Sequence, residues 1–517
     1  LLYVGTDDGL IQVSEDGGAT WRRAGALPGV PDLAFVNEVE ASLHDPDTVY
    51  AALDDHKRGD FTPHLVASRD RGRTWASIRG DLPDRHLPWA IAEDPERPGL
   101  LFLGTEFGVF FTLDGGRRWI ELGGGMPTIA IRDLEIQRRM GDLVAASFGR
   151  GFFALDDLTP LREVSAEALE RDAILFAPRP TPWYVPSTPL NVRDRGYQGS
   201  DYFVAPNPPF GAAFTYYLKE ERKTTKESRR EAEGELRERG EDTPFPGWEA
   251  LRAERLEEEP RLLLTVTDLA GNVVRRLEAP GEAGFHRVAW DLRFPPPDPA
   301  SLEEPGPLPP WAGPPQGPLA APGRYRVTLE RVVEGAVAAL GESREFEVVP
   351  LENWALAPVD FAEGQVFAQR AADLLRLTQG AAAELERAEE KVDTFEQAAL
   401  AAPGTSGELR ERIRALARDL YAVRERLSGD PVLAALSEPA APSVVGRLYQ
   451  ISFGSWSTRS GPTATHRRNL EIAETEYTAV SADLRRLLDT EIPAIEQALE
   501  AAGAPWTPGR KLPSADQ

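Results

Sequence analysis

Cysteine is absent from all 517 residues, which excludes disulfide scaffolds, thiolate zinc sites and cysteine nucleophiles. That absence leaves the compartment open, because exported bacterial proteins also do without disulfides. Positive charge is scarce as well: 58 Lys and Arg face 83 Asp and Glu, for a net charge of −25. Nucleic-acid affinity comes largely from basic side chains neutralising phosphates, so no nucleic-acid partner is expected. Only 6 of the basic residues are lysine, which reads as GC-rich codon usage rather than chemistry. No apolar run approaches the ~18 residues of a membrane span, so no transmembrane segment is expected. An initiator methionine is missing too. The chain opens on Leu1-Leu2-Tyr3-Val4-Gly5, already strand-like, and this neither reveals nor excludes a signal peptide.

What is present is ordinary globular material. Hydrophobic residues make up 41%, and the length suggests about three domains of ~150 residues. With 45 Gly and 45 Pro, turns must be many.

The first 160 residues contain a repeat. Ser14-Glu15-Asp16-Gly17-Gly18-Ala19-Thr20-Trp21 recurs as Ser68-Arg69-Asp70-Arg71-Gly72-Arg73-Thr74-Trp75, and more loosely as Thr112-Leu113-Asp114-Gly115-Gly116-Arg117-Arg118-Trp119. Two short apolar strands lead into each copy. A decayed fourth unit covers Asp142 to Asp157. The Trp-to-Trp spacings of 54 and 44 residues match one four-stranded propeller blade. In each copy Asp and Gly suit a tight turn, the carboxylate accepting backbone N–H bonds and Gly taking positive φ. The Ser or Thr hydroxyl ties the turn, and Trp packs between blades.

This pattern, S-x-D-x-G-x-T-W, is the Asp-box, and the chain resembles the Asp-box (BNR-repeat) β-propellers. These include sialidases, xyloglucan-hydrolysing enzymes, photosystem II assembly factors and the sortilin ectodomain. Leu101-Phe102-Leu103-Gly104-Thr105-Glu106-Phe107-Gly108, Gly149-Arg150-Gly151-Phe152 and Leu155-Asp156-Asp157-Leu158-Thr159-Pro160-Leu161 look most like the bacterial sortilin-like type, often labelled glycosyl hydrolases. The resemblance implies that Ser14, Asp16, Gly18, Thr20, Trp21, Ser68, Asp70, Gly72, Thr74, Trp75, Thr112, Asp114, Gly116 and Trp119 are structural, because the box lies at the blade periphery, away from the active face. Three blades and a fragment cannot close a ring, so the chain is expected to be the C-terminal portion of a longer protein.

The fold class expected is therefore multidomain, mainly β and then α. Residues 1–176 read as the C-terminal blades of the propeller and 177–207 as an irregular linker. Residues 208–350 read as an immunoglobulin-like β-sandwich: hydrophobic alternation marks Gly211–Leu218, Arg261–Thr267, Val273–Leu277, Phe285–Leu292, Tyr325–Leu329 and Phe346–Val349. It resembles small sandwich modules of flagellar hook caps and bacterial secretion systems, through Val266–Val274, Ala289-Trp290-Asp291 and Pro322–Val327. A charged insertion at 219–260 reads as a solvated helix or arm, and 294–323, with twelve Pro, as a polyproline-like loop. Residues 351–517 read as an antiparallel helical bundle. Phe367, Ala371, Leu374, Thr378, Ala381, Leu385, Ala388, Val392 and Phe395 keep a 4-3 spacing. Leu409–Leu427 and Leu470–Leu487 repeat it, the latter continuing past Pro493 through Ile495 and Leu499. Oligomerisation through a helical face is the alternative use of those seams.

The chemistry is sparse. Sialidases need an Arg triad with a Tyr–Glu pair, and xyloglucan-type enzymes need two facing Asp at glycosidase separations; neither pattern is displayed. The innermost blade strands, read as Val36–Leu43, Pro88–Glu93 and Ile131–Ile136, carry Asn37, Glu38, Glu40, Glu93, Arg132, Asp133 and Glu135. Of these, Glu38, Glu40, Arg132 and Asp133 are the catalytic candidates, set against a hydrated channel lining. Trp89 and Glu93 are binding candidates, with inter-blade packing as the alternative for Trp89. His44, His56 and His64 lie near Asp45, Asp54, Asp55 and Asp60 without metal-ligand spacing, so no metal is expected, and no cofactor motif appears.

The function expected is a non-catalytic, exported binding or scaffold protein, taking a peptide, protein or polysaccharide on the propeller face. Export (periplasmic, secreted or cell-surface) depends on a signal peptide ahead of Leu1. The alternatives are a glycoside hydrolase with carboxylates partly in other blades, and an assembly factor for a membrane complex.

Overall fold

The computed structural model describes residues 1–186, 205–221, 223–302, 306, 313–351, 360–456 and 458–510. The chain is multidomain and rich in sheets: several small antiparallel sheets come first, a three-stranded and a six-stranded sheet then share one core, and a helical region follows.

The first small sheet contains β1 (Leu2–Gly5), β2 (Ile11–Ser14) and β3 (Arg22–Arg23). The second contains β4 (Phe35–Ala41), β5 (Val49–Asp55), β6 (Asp60–Ser68) and β7 (Ala76–Ser77). The third contains β8 (Pro88–Glu93), β9 (Leu101–Thr105), β10 (Gly108–Thr112) and β11 (Ile120–Glu121), and the fourth β12 (Ile131–Gln137), β13 (Asp142–Ser147) and β14 (Phe152–Leu155). Each is a meander of strands adjacent in sequence.

The sheets pack face to face in chain order. Trp75 joins Ile11, Val49 and Leu53 between the first and second sheets. Trp119 joins Tyr50, Leu65, Ile91 and Phe110 between the second and third. Phe102, Phe111, Ile131, Leu134 and Leu143 fill the next gap. Because β5, β9 and β10 are covered on both faces, every residue in them is buried, whereas β1 and β14 alternate. Trp21, the equivalent of Trp75 and Trp119, is 45% exposed. Glycine permits the close stacking, as at Gly104 of β9, where a Cβ would lie 2.9 Å from the Ile131 carbonyl oxygen.

After β14 the chain folds back over the third and fourth sheets. Leu158 and Leu161 enter their shared core, and Arg162 forks onto the buried carboxylate of Asp94 through Nε and Nη2, with contacts of 2.9–3.1 Å. A short helix α1 (Ala166–Leu169) follows.

Strands β15 (Ala173–Leu175), β16 (Thr181–Trp183), β17 (Ala212–Leu218), β18 (Arg261–Asp268), β19 (Val273–Ala279), β20 (Gly284–Trp290), β21 (Gly323–Val333), β22 (Ala336–Ala339) and β23 (Arg344–Pro350) form a three-stranded and a six-stranded sheet. One has the order β15-β17-β20; the other runs β16-β23-β21-β18-β19, with β22 beside β21. Phe214, Tyr216, Trp290, Val327 and Phe346 lie in the core between them. Strands β15 and β16 occupy stretches read from sequence as the end of the repeat and as linker. Three residues with Pro182 in the middle show no alternation, and only the parallel pairing with β23 defines β16. The remainder of the linker, 187–204, lies outside the described residues.

The charged insertion forms helices α2 (Thr225–Glu238) and α3 (Trp248–Leu256), neither with a buried residue. A capping box between Thr224 and Glu227 starts α2, and Arg229 forks onto Glu254 at 2.6 and 2.8 Å to hold the pair. In the Pro-rich loop, residues 303–305 and 307–312 lie outside the described residues. Its far end is tied down where Arg293 donates to the Gly317 carbonyl and Trp183 to the Ala320 carbonyl, both at 2.8 Å.

The helical region contains α4 (Phe361–Ala401), α5 (Gly407–Leu427), α6 (Pro431–Ala435), α7 (Val444–Ser455), α8 (Ala464–Arg486) and α9 (Ile492–Ala501), the last two joined by a π turn. Most seam residues read from the 4-3 spacing enter one core, although Ala381 and Tyr477 stay half-buried. The π turn sits just ahead of Pro493, which has no N–H to continue the helical ladder. Helix α7, with only Val444, Leu448 and Ile451 buried, is too short for the spacing to stand out. Among the described residues no helix is long and apolar enough to cross a membrane.

Candidate functional site

Strands β4, β8 and β12 are each the edge of their sheet, and β8 touches both others. All three are interrupted at the same place. The register shifts between Val36 and Glu38, between Pro88 and Ala90, and between Ile131 and Asp133. Asn37, Trp89 and Arg132 are thus bulge residues at equivalent positions, and a bulge re-aims the side chain it carries. They gather at the end of the sheets where the hairpins β5–β6, β9–β10 and β13–β14 turn.

The bulge residues are coupled. Asn37 Nδ2 donates to the Pro88 carbonyl at 2.9 Å, and Trp89 Nε1 donates to Glu106 Oε2 at 2.9 Å. The Arg132 guanidinium lies 3.6 Å from the Trp89 ring centroid and 5.4 Å from that of Phe148. Glu106 stands 3.8 Å from Arg132, close enough for attraction but not for a hydrogen bond. His56 meets the Trp89 ring edge-on at 5.8 Å. Phe148 is 70% exposed.

A second layer of side chains follows along the same strands. Glu38 Oε2 accepts from the Ile91 backbone N–H at 2.6 Å. Burial, reinforced by Glu40, Asp133 and Glu135, pushes the Glu38 carboxyl up to about 7. Burial, with Glu93 and Glu135, pushes Glu40 up to about 6. Asp133 and Glu135 are exposed on β12. The fold therefore brings Glu38 into electrostatic range of both Glu40 and Asp133 and sets Arg132 one level nearer the mouth.

The two expected binding residues are both occupied by the protein itself. Trp89 is only 9% exposed and Arg132 covers its ring, so it positions a guanidinium rather than offering a face to a sugar. Glu93 is 3% exposed; its oxygens accept from the Leu43 N–H at 2.7 Å and the Tyr50 hydroxyl at 2.9 Å. Glu106, Phe148 and His56 complete the mouth, and sequence reasoning did not select them. Aligning Thr105-Glu106-Phe107-Gly108 with Ser147-Phe148-Gly149 would have marked both turns.

The repeated Ser–Asp–Gly–Thr–Trp turns lie at the opposite end of β2, β6 and β10. Ser68 Oγ donates to Asp70 Oδ1 at 2.8 Å and accepts from Gly72 N–H at 2.7 Å, while Thr74 donates to Asp70 through N–H (2.8 Å) and Oγ1 (2.6 Å). Ser14, Asp16, Gly18 and Thr20 repeat this set at 2.6–2.9 Å. In the third copy Thr112 replaces Ser, bonding Asp114 at 2.8 Å and Gly116 N–H at 3.0 Å. The Thr bonds hold Asp16 and Asp70 down at about 2. Trp119 Nε1 reaches the Ile78 carbonyl at 3.0 Å.

The histidines disperse. His44 bonds the Asp94 carbonyl, His56 pairs with Asp54 and His64 with Asp60. Among the described residues no His, Asp and Glu group is arranged to hold a metal.

No family model matches the sequence, and no curated protein matches it. Among solved structures, an ancestral GH74 enzyme aligns at 14% identity and TM-score 0.24, over 29% of this chain and 20% of that one. A GH74 xyloglucanase from Xanthomonas campestris aligns at 15% and TM-score 0.24, over 65% of this chain and 43% of that one. The extracellular domain of a one-component system from B. thetaiotaomicron aligns at 8% and TM-score 0.20, over 67% and 36%. This chain thus spans less than half the length of each.

Proposed function

We propose that the four small sheets are consecutive blades of a β-propeller, and that their bulge-lined end binds a ligand in a non-catalytic, exported binding or scaffold protein. In this reading the immunoglobulin-like two-sheet unit and the helical bundle brace the binding unit. The ligand is a peptide, protein or polysaccharide. One observation carries the reading: Arg132, stacked on Trp89, makes no hydrogen bond to any described residue while remaining accessible at the mouth. A guanidinium fixed in plane with its donors unspent is a recognition device, since the ordering cost is met before the ligand arrives. A screen of peptides and glycans tests it. Saturable binding without turnover, weakened at least tenfold in Arg132→Ala, is expected; no binding to any probe defeats it.

A second reading has its own support. Glu38 and Glu40, with carboxyls raised to about 7 and 6, have the protonation of an acid/base pair near neutral pH. A glycoside hydrolase would then release reducing ends from a polysaccharide, and Glu38→Gln would abolish the release.

A further inference from the structure

We propose that Arg132 receives the carboxylate of a sugar acid, a hexuronate unit of a polysaccharide, as the ligand of the bulge-lined mouth; this rests on the binding reading above. The three bulges place one cation at the mouth, and it is held by rings rather than by a carboxylate fork. Arg132 lies against Trp89 and Phe148, and Glu106 at 3.8 Å leaves its N–H groups open. The stack leaves the edges of the guanidinium plane open, and these present paired donors matched to the two oxygens of a carboxylate.

The second layer narrows the class. Glu38, Glu40, Asp133 and Glu135 follow along β4 and β12, and burial, reinforced by repulsion from neighbouring acids, raises the half-buried Glu38 and Glu40. An acidic peptide, carrying several anions and few donors, meets repulsion there at each step. A sugar acid carries one carboxylate per ring and several hydroxyl donors, and carboxylates accept hydroxyl donors readily. The exposed ring of Phe148 offers an apolar surface for the sugar's C–H face.

The test uses the full chain and calorimetric titration with four probes: a galacturonate trimer, its methyl ester, a neutral glucose trimer and an Asp/Ser/Gly peptide. Binding of the galacturonate trimer is expected, falling at least tenfold on esterification and at least tenfold in both Arg132→Gln and Arg132→Lys. The lysine variant keeps the charge and loses the planar fork. Glu38→Gln is expected to weaken the trimer severalfold, with unchanged far-UV circular dichroism confirming the fold of each variant. Equal binding of trimer and ester overturns the proposal. So does Arg132-dependent binding of the peptide or the neutral trimer alone, which would keep the mouth as a binding site. Absence of binding by all four probes overturns the proposal here, while the wider screen decides the binding reading itself.

Discussion

Arg162 and Asp94, 68 residues apart in sequence, form a forked ion pair whose carboxylate is fully buried. The pair fastens the segment after β14 to the third sheet, and Arg97 adds bonds to the carbonyls of Leu161 and Val164 on that segment. Removing one partner of a buried pair leaves an uncompensated charge. Arg162→Ala is therefore expected to cost about 3 kcal/mol in urea denaturation, near the low end of the range because Asp94 retains the Glu96 and Arg97 N–H groups. Arg71→Ala, which breaks exposed pairs with Glu15 and Asp47, is expected to leave the urea midpoint nearly unchanged.

Ser68 is buried, and its hydroxyl both donates to Asp70 and accepts from Gly72. Ser68→Ala strands a buried N–H and is expected to destabilise the chain by about 1–2 kcal/mol. Asp70→Asn is expected to lower the thermal midpoint at pH 6 and to narrow its difference from the parent as pH falls from about 4 toward about 2. A depressed carboxyl stabilises only while it is ionised, and that contribution disappears as the parent protonates.

Glu38 has the opposite sign. Its carboxyl is raised from 4.5 to about 7, so the folded state holds the proton more tightly, and stability falls as pH rises between those values. Glu38→Gln keeps an acceptor for the Ile91 N–H and removes the charge. It is expected to be neutral at pH 4 and to stabilise by about 1–3 kcal/mol at pH 8, read as a shift in the denaturation midpoint. A destabilised variant at pH 8 would contradict this account.

Phe395 sits in the seam of α4 with no exposure and belongs to the helical core. Phe395→Ala is expected to cost about 3–5 kcal/mol in the unfolding transition of the helical region, monitored at 222 nm.

Legibility followed the range of the interactions. The turns at Asp16, Asp70 and Asp114 are built from residues within four positions of the aspartate, so the motif alone specifies their bonding. The seams of α4, α5 and α8 were equally readable, because burial there follows a spacing along one element. Trp75 and Trp119 sit between sheets whereas Trp21 is half-exposed, a difference no feature within the repeated motif announces.

Strand β16, the fate of Glu93 and the mouth itself were not readable. Glu93 is consumed by Leu43 and Tyr50, 50 and 43 residues away, and no local pattern announces that. Trp89 as a binding residue was a fair inference from its type, and Arg132, on the neighbouring sheet, covers its ring.

Residue order by itself determined the turns, the strands with clear alternation and the helical seams, since each depends on hydrogen bonds or burial repeating over a few residues. Only tertiary structure decided that Asn37, Trp89 and Arg132 are equivalent. A bulge is a mismatch in register between two strands, and its side chain is aimed by a partner the sequence does not place beside it.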